Sequence, residues 1–184
     1  MSEVIDQQNT SGSIGVGWGD VGSGRDYMGQ GFTPSANNVS SIAFYVKGKS
    51  GTSTQGYRAW IDTADANYYP TNGIGGIGGN TLILNSALVT SALTKYPLAS
   101  VVPVTAGNRY VFVLAPWNTT TDAYSSYYAD FESSVSNPYA NGRRVHGNTA
   151  YNSWFGPDSG NADIQFRTYY DDTYGLFLPK IIMD

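Results

Sequence analysis

Ser41-Ile42-Ala43-Phe44-Tyr45-Val46-Lys47 alternates: Ile42, Phe44 and Val46 fall on one side of an extended chain, Ser41, Ala43, Tyr45 and Lys47 on the other. Successive side chains of a β-strand point to opposite faces, so this stretch predicts a half-buried strand with its apolar face on a core. Tyr57 to Asp62 repeats the pattern, with Tyr57, Ala59 and Ile61 facing one way and Arg58, Trp60 and Asp62 the other. Working outward, the runs 15–18, 28–33, 81–84, 88–89, 99–104, 126–131 and 163–170 read as further strands, and Pro103 marks its run as an edge or a bulge. Tyr110-Val111-Phe112-Val113-Leu114, inside the run 109–115, is almost continuously apolar and predicts a central strand covered on both faces. No stretch keeps a helical apolar period over three turns, and Gly, Pro, Asn and Ser punctuate the runs. About eight to ten strands result, enough for an all-β fold of two packed sheets.

A chain of 184 residues suits one domain. Aromatic residues make up 14% and charged residues only 13%, the latter about half the usual share, so the expected surface is wetted by Ser, Thr, Asn and Gly. The absence of cysteine excludes disulfides, thiolate zinc sites and a cysteine nucleophile. A net charge of -4 without any Lys/Arg run speaks against nucleic-acid binding, which relies on clustered cations. Residues 1–6 lack the basic and apolar regions of a secretory signal, and no segment is long and apolar enough to insert in a membrane. The Gly-Ile-Gly-Gly-Ile-Gly-Gly run at 73–79 lacks the Lys and the Ser or Thr of a phosphate loop, and a strand rather than a helix follows it. The stretch 133–160, rich in Asn, Tyr, Gly and Pro, is long for an idle connection and is a candidate functional loop.

Several spaced pieces carry a resemblance. Asp6-Gln7 precedes Gln30-Gly31-Phe32-Thr33-Pro34, followed by Ile42 to Val46 and Ala59-Trp60-Ile61-Asp62. Ala106-Gly107-Asn108-Arg109-Tyr110 then leads into Val111 to Leu114, and Asn137-Pro138-Tyr139-Ala140-Asn141-Gly142, Trp154 and Asp163 to Tyr169 complete the order. Together, over about residues 5 to 170, these resemble a jelly-roll module of secreted bacterial proteins and bacteriophage structural proteins, itself similar to carbohydrate-binding modules. The resemblance implies a two-sheet antiparallel jelly-roll β-sandwich over 1–170, leaving 171–184 as an apolar tail. It also implies a non-catalytic role. The leading expectation is a structural or surface-display subunit of a bacteriophage virion, a decoration, head-fibre or tail-associated protein. Its partners would be copies of itself, other virion subunits or a cell-surface glycan, and its location an extracellular particle. The alternative is a carbohydrate-binding module of a secreted bacterial protein. No cofactor is required, although related sandwiches hold a structural calcium between first and last strands, for which Asp6 and Asp163 are the candidates.

Reactive groups are scarce. The one histidine, His146, lies beside Arg143 and Arg144 in a Gly/Asn-rich stretch without a nucleophile-elbow pattern, and reads as a solvated loop residue. Of the glutamates, Glu3 sits at a frayed chain start, and Glu132 has no partner by spacing. Asp122, Asp130, Asp158 and Asp163 suggest turn formers or solvated strand ends rather than the opposed carboxyl pair of a glycosidase. The chain is therefore expected not to be an enzyme. Sugar binding would use flat aromatics, nominated as Trp60, Trp117, Tyr139 and Trp154, with Arg58 and Asn141 as polar partners. Trp60, outside the core face by alternation, is expected to be exposed at a contact. In the tail, Leu176, Phe177, Leu178, Ile181 and Ile182 either close the sandwich as a last strand or dock on another subunit.

Overall fold

The alternation of apolar and polar residues is realised as strands. The computed structural model describes residues 2–12, 14–18, 27–121, 123–124, 128–134, 139–147, 154–155 and 162–174. Among them, thirteen strands follow in order: β1 (Glu3–Asn9), β2 (Ile14–Trp18), β3 (Tyr27–Phe32), β4 (Asn38–Ser50), β5 (Gln55–Thr63), β6 (Gly78–Leu84), β7 (Ala92–Pro103), β8 (Tyr110–Asn118), β9 (Ala123–Tyr124), β10 (Tyr128–Ser133), β11 (Arg144–Gly147), β12 (Trp154–Phe155) and β13 (Phe166–Asp171). One antiparallel sheet runs β1-β13-β4-β10-β2, with β7 also paired to β4. The other runs β12-β11-β3-β8-β5-β6, with β9 on β8. From β3 to β13 the chain crosses repeatedly between the sheets, which pack as a β-sandwich.

The inward faces are those predicted. Ile42, Phe44 and Val46 of β4 meet Tyr57, Ala59 and Ile61 of β5 and Phe112 and Leu114 of β8 in one buried cluster. Rings lock the layers across the gap: Tyr57 against Phe131 at 5.5 Å and Phe112 against Phe166 at 5.8 Å between centroids. Each such side chain contributes about 1.5–3 kcal/mol by leaving water.

The outer face of the second sheet is apolar too. Tyr27, Trp60, Val111, Val113, Ala115, Trp117 and Val145 form a second buried cluster, with Tyr68 and Tyr69 packed on it. This explains the uninterrupted apolar run of β8, whose even and odd positions face different layers. It also corrects the expectation for Trp60, which lies on the outer face as alternation required but is fully buried there, with Tyr27 edge-on at 6.4 Å.

Other departures have local causes. Polar β1 finds its place by pairing rather than burial: it runs antiparallel to β13 from Glu3 opposite Asp171 to Asn9 opposite Phe166. Glu3 is not frayed, since its carboxylate accepts from Ser40 at 2.7 Å and from Lys95 at 2.6 Å. Burial raises the Glu3 carboxyl, but the hydrogen bonds from Lys95, Ser41 and Ser40 outweigh it and hold the group below its ordinary value. β7 starts at Ala92 rather than Ala99, its first half disguised by Lys95 and Pro97 on an edge strand. Leu88 and Val89 form no strand but follow a 3-10 turn at Asn85–Ala87. The docking residues Leu176, Phe177, Leu178, Ile181 and Ile182 lie outside the described residues.

Candidate functional site

At one end of the sandwich, the end of β3, the end of β5, the start of β8 and the segment before β11 converge. They enclose an open cleft of about 670 Å³ whose lining includes Thr33, Thr63, Tyr68, Asn108, Arg109 and Asn141. Tyr68 organises it. The carboxylate of Asp65 accepts from the backbone N–H groups of Asn67 at 2.7 Å and Tyr69 at 2.9 Å, folding residues 65–69 into a side-chain-closed turn. The turn places Tyr68 at φ 60°, a left-handed conformation. For a non-glycine residue this costs about 1–3 kcal/mol and persists only where the surroundings impose it.

The surroundings do so. The Tyr68 ring lies so close on the backbone of Gly31 that a Cβ there would come within 2.4 Å of it. Its hydroxyl donates to the carbonyl of Asn141 at 2.8 Å and shares a hydrogen bond with Thr33 Oγ1 at 3.0 Å. Arg143 adds a tie, its Nε donating to the carbonyl of Asn67 at 2.7 Å. The Arg109 guanidinium lies over the Tyr68 ring, 5.7 Å from its centroid, and Arg109 is exposed. Among the described residues, no carboxylate pairs with Arg109, and no hydrogen bond uses the side-chain amides of Asn108 or Asn141. The cleft thus presents a cation and two amides to solvent from a firmly held backbone.

Behind the cleft is a buried polar network. Asp163 is fully buried; its Oδ1 accepts from Gln30 Nε2 at 2.7 Å and its Oδ2 from the Tyr139 N–H at 3.1 Å. Gln30 Oε1 in turn accepts from the Ile164 N–H at 2.9 Å. The Tyr139 hydroxyl donates to Gln7 at 2.9 Å and accepts from the Thr33 N–H at 3.2 Å, joining the network to the cleft rim. Burial pushes the Asp163 carboxyl up to about 7, against the hydrogen bonds from Gln30 and Tyr139 and the charge of Arg144. Burial also pushes the Tyr139 hydroxyl well above its ordinary value. The expectation of a solvated Asp163 is corrected accordingly: its carboxylate is a core fastener for three chain segments.

The residues nominated from sequence disperse. Arg58, Trp60 and Trp117 share the outer face of the second sheet, the Arg58 guanidinium 4.0 Å above the Trp117 ring. Tyr139 is a core residue, edge-on to Phe166 at 5.2 Å. Trp154 pairs through its backbone with Gly147, and its side chain lies outside the description. Asn141 alone lines the cleft. His146 is no loop residue: it is buried in β11. Of the calcium candidates, Asp6 uses Oδ1 to accept from the Ser35 N–H at 3.0 Å, while its Oδ2 is buried without a hydrogen-bond partner, as suits a cation ligand. Asp163 is instead committed to Gln30 and Tyr139. Among the described residues, no three His, Asp or Glu side chains gather at one point.

Sequence reasoning missed Thr33, Thr63, Tyr68, Asn108 and Arg109 as cleft residues. The Asp65-Ala66-Asn67 turn signal was there to read, but nothing local announces that this turn meets residues 139–143. Comparison with known protein families, with curated proteins and with solved structures finds no match.

Proposed function

We propose that this chain is a non-catalytic binding domain that holds a hydroxyl-rich ligand of the saccharide class in the end cleft. The observation that carries the reading is the cleft itself, a polar lining with uncommitted amides at Asn108 and Asn141, set around a tyrosine kept in a costly conformation. Sugar hydroxyls need such fixed donors and acceptors. Among the described residues the lining holds no Asp or Glu, which supports binding without hydrolysis, since glycosidic cleavage uses a carboxyl pair. Titrating a saccharide panel into isotope-labelled protein should shift the amide signals of Tyr68, Asn108 and Asn141. A panel that leaves all of them unmoved sinks the reading. Tyr68→Phe removes the bond to the Asn141 carbonyl, worth about 1 kcal/mol. Calorimetry should show affinity several-fold weaker, with the fold intact.

A second reading, the virion subunit, is favoured by a different observation. Ile74, Ile77, Leu82, Leu84 and Val89 are exposed along β6 and its flanks. Among the described residues, β6 forms a ladder with β5 alone, and β7 reaches it only through the Thr81 hydroxyl to the Pro97 carbonyl at 3.2 Å and side-chain packing on Gly79. In this reading β6 docks a decoration, head-fibre or tail-associated subunit onto its own copies in an extracellular bacteriophage particle. Light scattering should then give a defined oligomer that Leu82→Ser with Leu84→Ser reduces to a monomer with an unchanged melting temperature. A wild-type monomer at high concentration would rule out self-assembly.

A further inference from the structure

We infer that the cleft's ligand is anionic, an acidic saccharide of uronic or sialic type whose carboxylate pairs with Arg109. The inference rests on the saccharide reading and adds its charge. Among the described residues, Arg109 is the one charged side chain in the lining, and neither Asp nor Glu lines the cleft beside it. Asp65, the nearest carboxylate along the turn, is directed into its own loop by the Asn67 and Tyr69 N–H groups. In a chain of net charge -4, a cation among described lining residues of which none is acidic is a local exception, and it concentrates attraction for an anion there.

Geometry adds to charge. The guanidinium lies over the Tyr68 ring, and that ring is held close against the Gly31 backbone and at its hydroxyl by Thr33 and Asn141. Stacking on an aromatic face leaves the edge N–H groups of a guanidinium available in its plane. A planar carboxylate accepts two parallel charge-assisted hydrogen bonds from that edge, which a neutral hydroxyl cannot. The free amides of Asn108 and Asn141 flank the position and suit the ring hydroxyls of the same sugar. A cleft of about 670 Å³ accommodates such a ligand, being within the roughly 300–1,000 Å³ of small-molecule sites.

The test uses the whole chain against oligogalacturonate, hyaluronan oligosaccharides and sialyllactose, each beside its methyl-esterified form. At least one acid should bind with amide shifts at Asn108 and Asn141, and esterification should weaken it roughly tenfold, as loss of a charge-assisted pair requires. Arg109→Gln should bring the acid down to the affinity of the ester. Arg109→Lys should recover part of the loss. Arg109 is exposed, so its variants keep the fold. If ester and acid bind alike, or Arg109→Gln spares the acid, the anionic inference falls while the saccharide cleft stands. If neither form of any probe shifts the cleft amides, both readings fall.

Discussion

Asp163→Ala is expected to lower the free energy of unfolding by about 2–6 kcal/mol, since it strands two buried donors at about 1–3 kcal/mol each. These are Gln30 Nε2 and the Tyr139 N–H, which the carboxylate holds at 2.7 Å and 3.1 Å. The loss spreads because Gln30 belongs to β3, Tyr139 to the segment before β11, and Asp163 to the approach to β13. Urea denaturation measures it. A variant within about 0.5 kcal/mol of wild type, the range of an indifferent surface change, would mean the network carries no load.

The same residue sets a pH dependence. Its carboxyl titrates near 3.8 when unfolded and at about 7 when folded, so between these values the folded protein binds the extra proton. Stability from this group is fully present below about pH 4 and declines as pH rises towards 7. Glu3, held below its ordinary 4.5, acts in the opposite sense, its contribution being lost only as pH falls through that lowered value. Asp163→Asn, which keeps the shape without the titration, should flatten the decline between about pH 5 and 7. Wild-type stability that climbs across this interval would contradict the assignment.

Gly142→Ala is expected to cost about 1–3 kcal/mol through overpacking and to abolish binding in the cleft. A Cβ at this position would come within 1.9 Å of the Gly31 carbonyl oxygen and 2.7 Å of the Tyr139 ring. The nearest obstacle is backbone, so no side chain can turn aside. The two segments must separate, loosening the 2.8 Å bond from the Gly31 N–H to the Arg143 carbonyl. Asn141 then leaves Tyr68, whose hydroxyl it anchors. Melting curves and the Tyr68 and Asn141 amide signals read both effects. Gly73→Ala, whose Cβ meets nothing within 4 Å, is the control and should be silent. Equal behaviour of the two variants would contradict the close-approach account.

The sandwich was legible because period-two alternation in β4 and β5 is a local property with one geometric meaning, and the continuous apolar run of β8 marks a strand covered on both faces. Trp60 shows where that meaning stops. Alternation assigns a face, but whether the face is wet depends on what else folds over it, here including Tyr68 and Tyr69. β1 escaped notice because Glu3 to Asn9 lacks an apolar face and is specified by ladder bonds to residues more than 150 positions away. The cleft was legible only at Asn141. Tyr68 owes its role to a left-handed backbone and to contacts with Gly31 and Asn141, which are distant in sequence and leave no periodic trace.

The pairing of β1 with β13 has a consequence for how the molecule is made. During synthesis β1 is made before β13, so it waits without this ladder neighbour until Phe166 to Asp171 have also emerged. Closing a loop of that span is entropically costly before any contact rewards it, and proteins dominated by such distant pairings fold slowly, over milliseconds to seconds. Hydrophilic Glu3, Asp6, Gln7, Gln8 and Asn9 suit that wait, keeping a strand without a neighbour soluble and less prone to join another chain's edge.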